Sequence, residues 1–376
     1  MDAVYKRLAA RLDEFPQGYP AAEDGVELAI LRKLFTPEEA ALACELLPVP
    51  QSAETIARRL ARPLEPLRAE LDRMVELGQL LGTSRRGQRR YALVPFVVGI
   101  YEFQLPRMDA ELATLFEAYA PTLVRGIGAR APAIGRVVPV NARIEARAEV
   151  LAHESVRALL AQAVSFRVME CLCRRERAAA GYPCTHTLET CLSFSRHEKN
   201  EDMAWWGREI MREEAYELLD RCEREGLVHC TYNVRRDSMF VCNCCTCCCG
   251  FLRGVREFEA PHLLLRSNYL ATVDDDACTD CGDCAARCPM DAIAGTDGSR
   301  RVDAERCLGC GLCTIACPSD AVSLRQRPPQ ERVTSPRDLL SWAYRRSSAR
   351  YGPLSAVAKF GGVAVDALRR SPRRAT

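Results

Sequence analysis

The sequence predicts an α+β chain divided into several domains. Three observations carry that expectation. Apolar residues at helical spacing alternate with short β-like runs, a mixture foreign to an all-α or all-β chain. A length of 376 residues suits two or three domains, and 48% hydrophobic residues are enough for sizeable cores and exclude wholesale disorder. The 21 cysteines are concentrated in the second half, which singles out that half for its chemistry. Residues 1–20 carry Lys6, Arg7, Arg11, Asp13 and Glu14 and lack the apolar run of a secretory signal. The most apolar stretch, 91–103, contains Pro95, Gly99 and Glu102 and is too short for a membrane span. A soluble, cytoplasmic protein is therefore expected. A formal net charge of +2 gives no global reason to bind nucleic acid or membrane.

Residues 1–24 are expected to be an N-terminal helix. In 25–103, Thr36-Pro37-Glu38-Glu39 has the cap, first-turn proline and acids of a helix start, and that helix runs to Leu46. Ser52 caps a second helix, 53–60. A third, 64–77, carries Leu64, Leu67, Leu71, Met74 and Leu77 on one stripe and closes at Gly78. Strand-like runs around 79–81 and 91–94 then flank Arg85, Arg86, Arg89 and Arg90 at a basic hairpin tip. This order resembles the winged-helix modules of bacterial regulators. Residues 104–150 read as a helix with the stripe Leu112, Leu115, Phe116 and Tyr119, then an irregular connector marked by Pro132, Gly135 and Pro139. The middle region, 151–255, is expected to hold a helix over 206–224 ending at Gly226, and strands at 227–229 and 239–241. Residues 327–376 form a basic tail. Over 325–376 there are twelve basic and three acidic residues, while 274–324 holds ten acids and four arginines. Such a tail either pairs with the acidic segment, meets a partner, or is simply solvated.

Within 256–326 the chain repeats itself. Adding 29 to Cys278, Cys281, Cys284 and Cys288 gives Cys307, Cys310, Cys313 and Cys317, and Gly282, Pro289 and Asp291 map onto Gly311, Pro318 and Asp320. Each half reads C-x2-C-x2-C-x3-C-P. The segment resembles the bacterial two-cluster ferredoxins, over residues 270–324. That resemblance implies a ferredoxin-like dicluster domain with two [4Fe–4S] clusters. One cluster would take Cys278, Cys281, Cys284 and Cys317, and the other Cys307, Cys310, Cys313 and Cys288. Zinc is the alternative for paired C-x2-C motifs, but two zinc sites do not need this longer run twice.

The middle region brings Cys171, Cys173, Cys184 and Cys191, then Cys242, Cys244, Cys245, Cys247, Cys248 and Cys249 within eight residues. Thiolates so crowded repel one another unless a cation holds them. One or two further iron–sulfur clusters are expected here, with zinc or a thiol–disulfide centre as alternatives. The simplest split puts one cluster on the 171–191 set and another on 242–249. A cluster shared between the sets is equally allowed. Phe240-Val241 and Phe251-Leu252 could wall such a centre from water. His186 and His197 lie nearby, although polar histidines are common in loops. Cys44 and Cys222 fall on apolar helical stripes and read as structural thiols. The order of winged-helix-like segment, C-x-C-R and C-N-C-C-x-C-C-C motifs and dicluster ferredoxin also resembles a recurring bacterial and archaeal iron–sulfur protein type.

The expected function is low-potential electron transfer, as a carrier or as a subunit of an oxidoreductase, to a partner reductase or dehydrogenase. Asp274, Asp275, Asp276, Asp280 and Asp283 would form a docking face for a basic partner. The rival expectation is a redox-sensing transcription regulator. The third helix, 64–78, counts against DNA, since Glu65, Glu70, Asp72 and Glu76 outnumber Arg68 and Arg73. The chain shows no dinucleotide-binding glycine motif, no P-loop and no Ser-His-Asp pattern.

Overall fold

A computed structural model describes residues 2–85, 87–140, 154–196, 207–236, 238–295 and 300–357. It mixes helix and sheet. The N-terminal helices Asp2–Asp13, Val26–Leu34 and Pro37–Glu45 pack together through Leu8, Leu12, Ile30, Leu31 and Ala40. Thr36 and Glu39 cap each other's backbone amides, so the third of these helices starts where its sequence predicts. Ser52 caps Ala53–Leu60, and Leu64–Glu76 buries Leu67, Leu71 and Met74. Strands Leu81–Arg85 and Gln88–Ala92 form a hairpin, and Gln51–Ser52 pairs with Tyr91 and Arg90 as a third strand. Helix Ala110–Gly128, capped by Asp109, lays Leu112, Phe116, Tyr119 and Leu123 on the same core.

The centre of the molecule is a seven-stranded sheet. Its strand order is Leu264–Leu265, Gly135–Val137, Val228–Tyr232, Phe240–Cys244, Glu189–Ser195, Ser165–Glu170 and Arg208–Ile210. The first pair is parallel and the rest antiparallel. Two expectations need correction. Gly135 is not part of an irregular connector. Gly135–Val137 is a wholly buried strand with a neighbour on each side. The helix expected from 206 begins at Arg212, and Arg208–Ile210 is an edge strand that buries Ile210 opposite Phe166. Pairing with an exposed strand outweighs helix propensity there, and Trp206 lies outside the described residues.

The 29-residue repeat is visible in the backbone. Helices Asp283–Ala286 and Leu312–Ala316 correspond, and strand Tyr269–Val273 pairs with Val322–Gln326. Positive φ angles recur at Asp280 and Gly309, at Gly282 and Gly311, and at Asp291 and Asp320. At Gly309 a Cβ would lie 2.2 Å from the Tyr269 carbonyl oxygen, so this left-handed turn also demands the absence of a side chain.

The basic C-terminal segment is not a solvated tail as far as it is described. Asp338 caps helix Leu339–Tyr351, which folds back onto the N-terminal half. The Trp342 indole donates to the Ala133 carbonyl at 2.8 Å. Buried Arg346 donates to the carbonyls of Pro16 at 2.8 Å, Arg130 at 2.6 Å, Pro132 at 2.8 Å and Ile127. Among the described residues no helix is long and apolar enough to cross a membrane.

Candidate metal centres

Sheet register assembles the middle thiols. Cys230 stands directly opposite Cys242, and Val228 opposite Cys244. On the other side Leu192 faces Val241, and one residue on the same register sets Cys191 beside Cys242. Alternation puts Cys242 and Cys244 on one face of their strand and Asn243 on the other. Cys191, Cys242 and Cys230 thus form a row across three strands.

Two helix starts complete the group. Cys171 stands at the N-cap of Leu172–Ala179, where its carbonyl accepts the Arg174 amide at 3.1 Å. Cys249 stands at the N-cap of Gly250–Arg256, where its carbonyl accepts the Arg253 amide at 2.9 Å. Both thiols therefore lie at the positive end of a helix. The thiols then neighbour one another around a ring: Cys171, Cys173, Cys249, Cys244, Cys242, Cys191 and back to Cys171. Contact with Cys173 and Cys191, helped by Arg174, holds the Cys171 thiol well below its ordinary value against burial. Cys230 joins the ring at Cys244.

All six ring thiols line one cavity of about 180 Å³, walled by Phe96, Tyr101, Phe116, Phe240, Val241 and Phe251. An all-sulfur donor set in an apolar hollow suits soft metal centres such as iron–sulfur clusters.

Sequence neighbours are not neighbours in space here. Cys184 leaves the 171–191 set and joins Cys245, Cys247 and Cys248, and the four sulfurs lie within 4.8 Å of one another. Cys184 is 3.8 Å from Cys245 and 3.5 Å from Cys247, and Cys247 is 3.7 Å from Cys248. The Cys249 amide donates to the Cys245 carbonyl and closes the turn that gathers the last three. His186 Nδ1 lies 3.2 Å from the Cys184 sulfur, while His197 lies outside the described residues.

Arg174 lies between the two groups and is 2% exposed. Its guanidinium donates to the Thr187 carbonyl at 2.8 Å, the Thr190 hydroxyl at 2.5 Å and the Asn243 carbonyl at 2.9 Å. Burial works against its charge, but Cys171, Cys245 and Cys244 outweigh that and raise its pKa. Asn243 in turn donates to the Thr190 carbonyl at 2.6 Å and meets His229 Nδ1 at 2.6 Å, and His229 Nε2 lies 3.3 Å from Glu223. Sequence reading assigned no role to Arg174, Asn243 or Cys230. The one available signal was that each sits within or opposite a cysteine motif.

Carboxyls stand at the cavity's far wall. Burial, then the neighbouring Glu117, push Glu176 up to about 8, and Tyr101 donates to it at 3.3 Å. Glu117 stays ionised between Arg177 at 2.5 Å and Arg253 at 2.7 Å. A carboxyl whose folded pKa is raised stabilises the fold below its unfolded value near 4.3 and loses that contribution as pH rises to about 8. Melting temperature should therefore fall across this window, and Glu176→Gln should flatten the fall. An unchanged slope in the variant would show that Glu176 ionises freely.

In the C-terminal part, Cys288 meets Cys307, Cys310 and Cys313 around a cavity of about 20 Å³. Cys317 lies near Cys284, which also feels Cys278. Backbone amides face the sulfurs: Ala292 to Cys288 at 3.2 Å, Gly309 to Cys307 at 3.4 Å, and Ala321 and Val322 to Cys317. Residues 271–324 match the 4Fe–4S dicluster domain family. The dicluster domain, together with the cysteine-rich middle, supports an iron–sulfur electron-transfer role. No curated protein and no solved structure is similar enough to this chain to be matched.

The remaining expectations divide. Cys222 is fully buried in a core, as a structural thiol should be. Cys44 is only half-buried and interacts with Arg7. Phe240, Val241 and Phe251 do wall the cavity, and Leu252 is buried beside the dicluster core instead.

Proposed function

We propose that this chain is a cytoplasmic electron-transfer protein, or a subunit of an oxidoreductase, in which the dicluster domain feeds a centre held by the six-thiol ring. The carrying observation is that both share one core. Cys230, Cys244 and Cys249 pack with Cys307, Cys310, Cys313 and Cys317 in a single apolar cluster, and Cys230 feels the charge of Cys310. Clusters at these thiols would supply one-electron transfer, which falls off steeply with distance.

The protein's residues give the path a direction. Cys281 is exposed and Cys278 half-buried, with exposed Asp274, Asp275, Asp276 and Asp283 around them. Cys307, Cys310 and Cys313 are buried toward the ring. We assign Cys278, Cys281, Cys284 and Cys317 to the outer cluster and Cys307, Cys310, Cys313 and Cys288 to the inner one. The acids favour a basic redox partner at the outer face, by a contact that salt weakens. Asp280 contributes less, being paired with Arg300 at 2.6 Å.

The N-terminal segment we read as a winged-helix-like interaction module. Four of its cations are already engaged: Arg62 with Glu70, Arg68 with Glu54, Arg73 with Glu39 and Arg89 with Asp72. Arg86 lies outside the described residues. With these four paired to its own acids, this face has fewer cations left for phosphates, which disfavours the regulator reading.

The test replaces Cys244 and Cys249 with Ser in the full chain. Wild type should carry clearly more than the about eight irons of two cubes, and the variant should lose the excess while keeping the dicluster signals in reduced-state EPR. After rapid reduction, wild type should show a second bleaching phase that the variant lacks. About eight irons in fully loaded wild type, with the ring thiols open to alkylation, would overturn the reading.

A further inference from the structure

We infer that Cys184, Cys245, Cys247 and Cys248 form a separate mononuclear zinc site that clamps the loop before Glu189–Ser195 to the turn after Phe240–Cys244. The inference rests on the closeness of the four sulfurs and is independent of the electron-transfer reading.

Four sulfurs bonded to one ion at about 2.3 Å stand about 3.8 Å apart at the corners of a tetrahedron. The observed separations of 3.8, 3.5 and 3.7 Å match that edge. A cubane carries its cysteines on four separate irons and spreads their sulfurs well beyond contact. The chain contains its own control. Among the described residues, the foursome is the one group of metal-ligating side chains lying mutually within 4.8 Å, and the eight dicluster thiols form no such group. The six ring thiols are spread around a cavity that Cys245 and Cys248 also border, whereas the sulfurs of the foursome converge on a point. The separations also exceed any disulfide bond.

The surroundings fit a tetrathiolate. Four thiolates and Zn²⁺ leave two negative charges. Arg174 meets Cys245, and His186 Nδ1 stands 3.2 Å from Cys184, where a ring N–H can donate to the sulfur.

The site also explains the dense cysteine run. Cys242, Cys244 and Cys249 go to the ring, and Cys245, Cys247 and Cys248, between them, go to the clamp. Zinc would thus fix the turn whose two ends carry ring thiols.

The test uses full-length protein purified anaerobically from cells supplied with both iron and zinc. We expect one zinc per chain and a zinc-edge X-ray absorption spectrum with four sulfur neighbours at about 2.3 Å. Replacing Cys184 and Cys247 together with Ser should lower zinc at least tenfold while the dicluster EPR signals persist. Absence of zinc from wild type would overturn the inference, as would nitrogen or oxygen neighbours, a mononuclear ferric signal, or loss of about four irons in the variant. If the variant does not fold, the wild-type zinc content and absorption spectrum decide alone. A zinc-free chain that still carries excess iron would sink the clamp and leave the ring intact.

Discussion

Arg174→Met should destabilise the protein by about 3–5 kcal/mol, the range for breaking a buried ion pair from one side. The variant should also lose metal from the middle thiols while the dicluster clusters stay loaded. Two effects combine. The carbonyls of Thr187 and Asn243 and the Thr190 hydroxyl lose a donor inside the protein, where water does not easily replace it. The thiols of Cys171, Cys244 and Cys245 lose a cation that favours their ionised, metal-binding form. Methionine nearly preserves the volume, so packing loss contributes little. Arg174→Lys separates the two effects. It keeps the charge but lacks the planar fork that reaches three acceptors, so it should retain more metal than methionine and still melt early. Anaerobic thermal melts with iron and zinc counts read both. Unchanged metal content in Arg174→Met would show that the thiol groups need no protein cation.

Removing the C-terminal anchor should have a comparable effect far from any metal. Trp342→Ala deletes a large side chain that is 3% exposed, a change that costs about 3–5 kcal/mol in a packed core, and it also orphans the Ala133 carbonyl. Arg346→Ala strips one donor from four buried carbonyls; bonds to a charged donor contribute about 1.5–3 kcal/mol each, so even partial recovery by water leaves a loss of a few kcal/mol. Burial pulls Arg346 down to about 10, so it is still charged at neutral pH, and the carbonyls satisfy that charge without an acid. Either variant should melt early and expose the helix Leu339–Tyr351 to protease, with metal content unchanged at low temperature. Protection equal to wild type would show that the helix is an ornament.

What could be read from the sequence was whatever depends on near neighbours. Thr36 and Ser52 mark helix starts because a cap acts within one turn. The 29-residue repeat is legible because each half builds the same turns from the same residues. The grouping of the middle thiols was not legible. It depends on which strands lie side by side and in which register, and on the turn after Cys244, which carries Cys245, Cys247 and Cys248 away from Cys242 and Cys244 to Cys184. Cys242, Cys245 and Cys248 repeat the C-x2-C-x2-C spacing of each dicluster half, yet Cys242 belongs with the ring and the other two with Cys184. Cys230 looked solitary because its companions come from the opposite strand. Arg174, Arg327 and Arg346 are among the bulkiest fully buried side chains, and no local pattern distinguishes them from solvated arginines.

The six-thiol ring has two unlike halves. Cys191, Cys242 and Cys244 project from paired strands, where ladder hydrogen bonds fix neighbouring Cα atoms at about 4.5–5.5 Å. Cys171, Cys173 and Cys249 come from the starts of two helices that Glu117 ties together through Arg177 and Arg253. A centre bound there would rest against a backbone ladder on one side and be closed on the other by elements that side chains alone hold together. When its charge changes by one electron, the ladder keeps the reorganisation energy small. Side-chain ties break and re-form more readily than a ladder, so it is from the helix side that a centre would be inserted or lost.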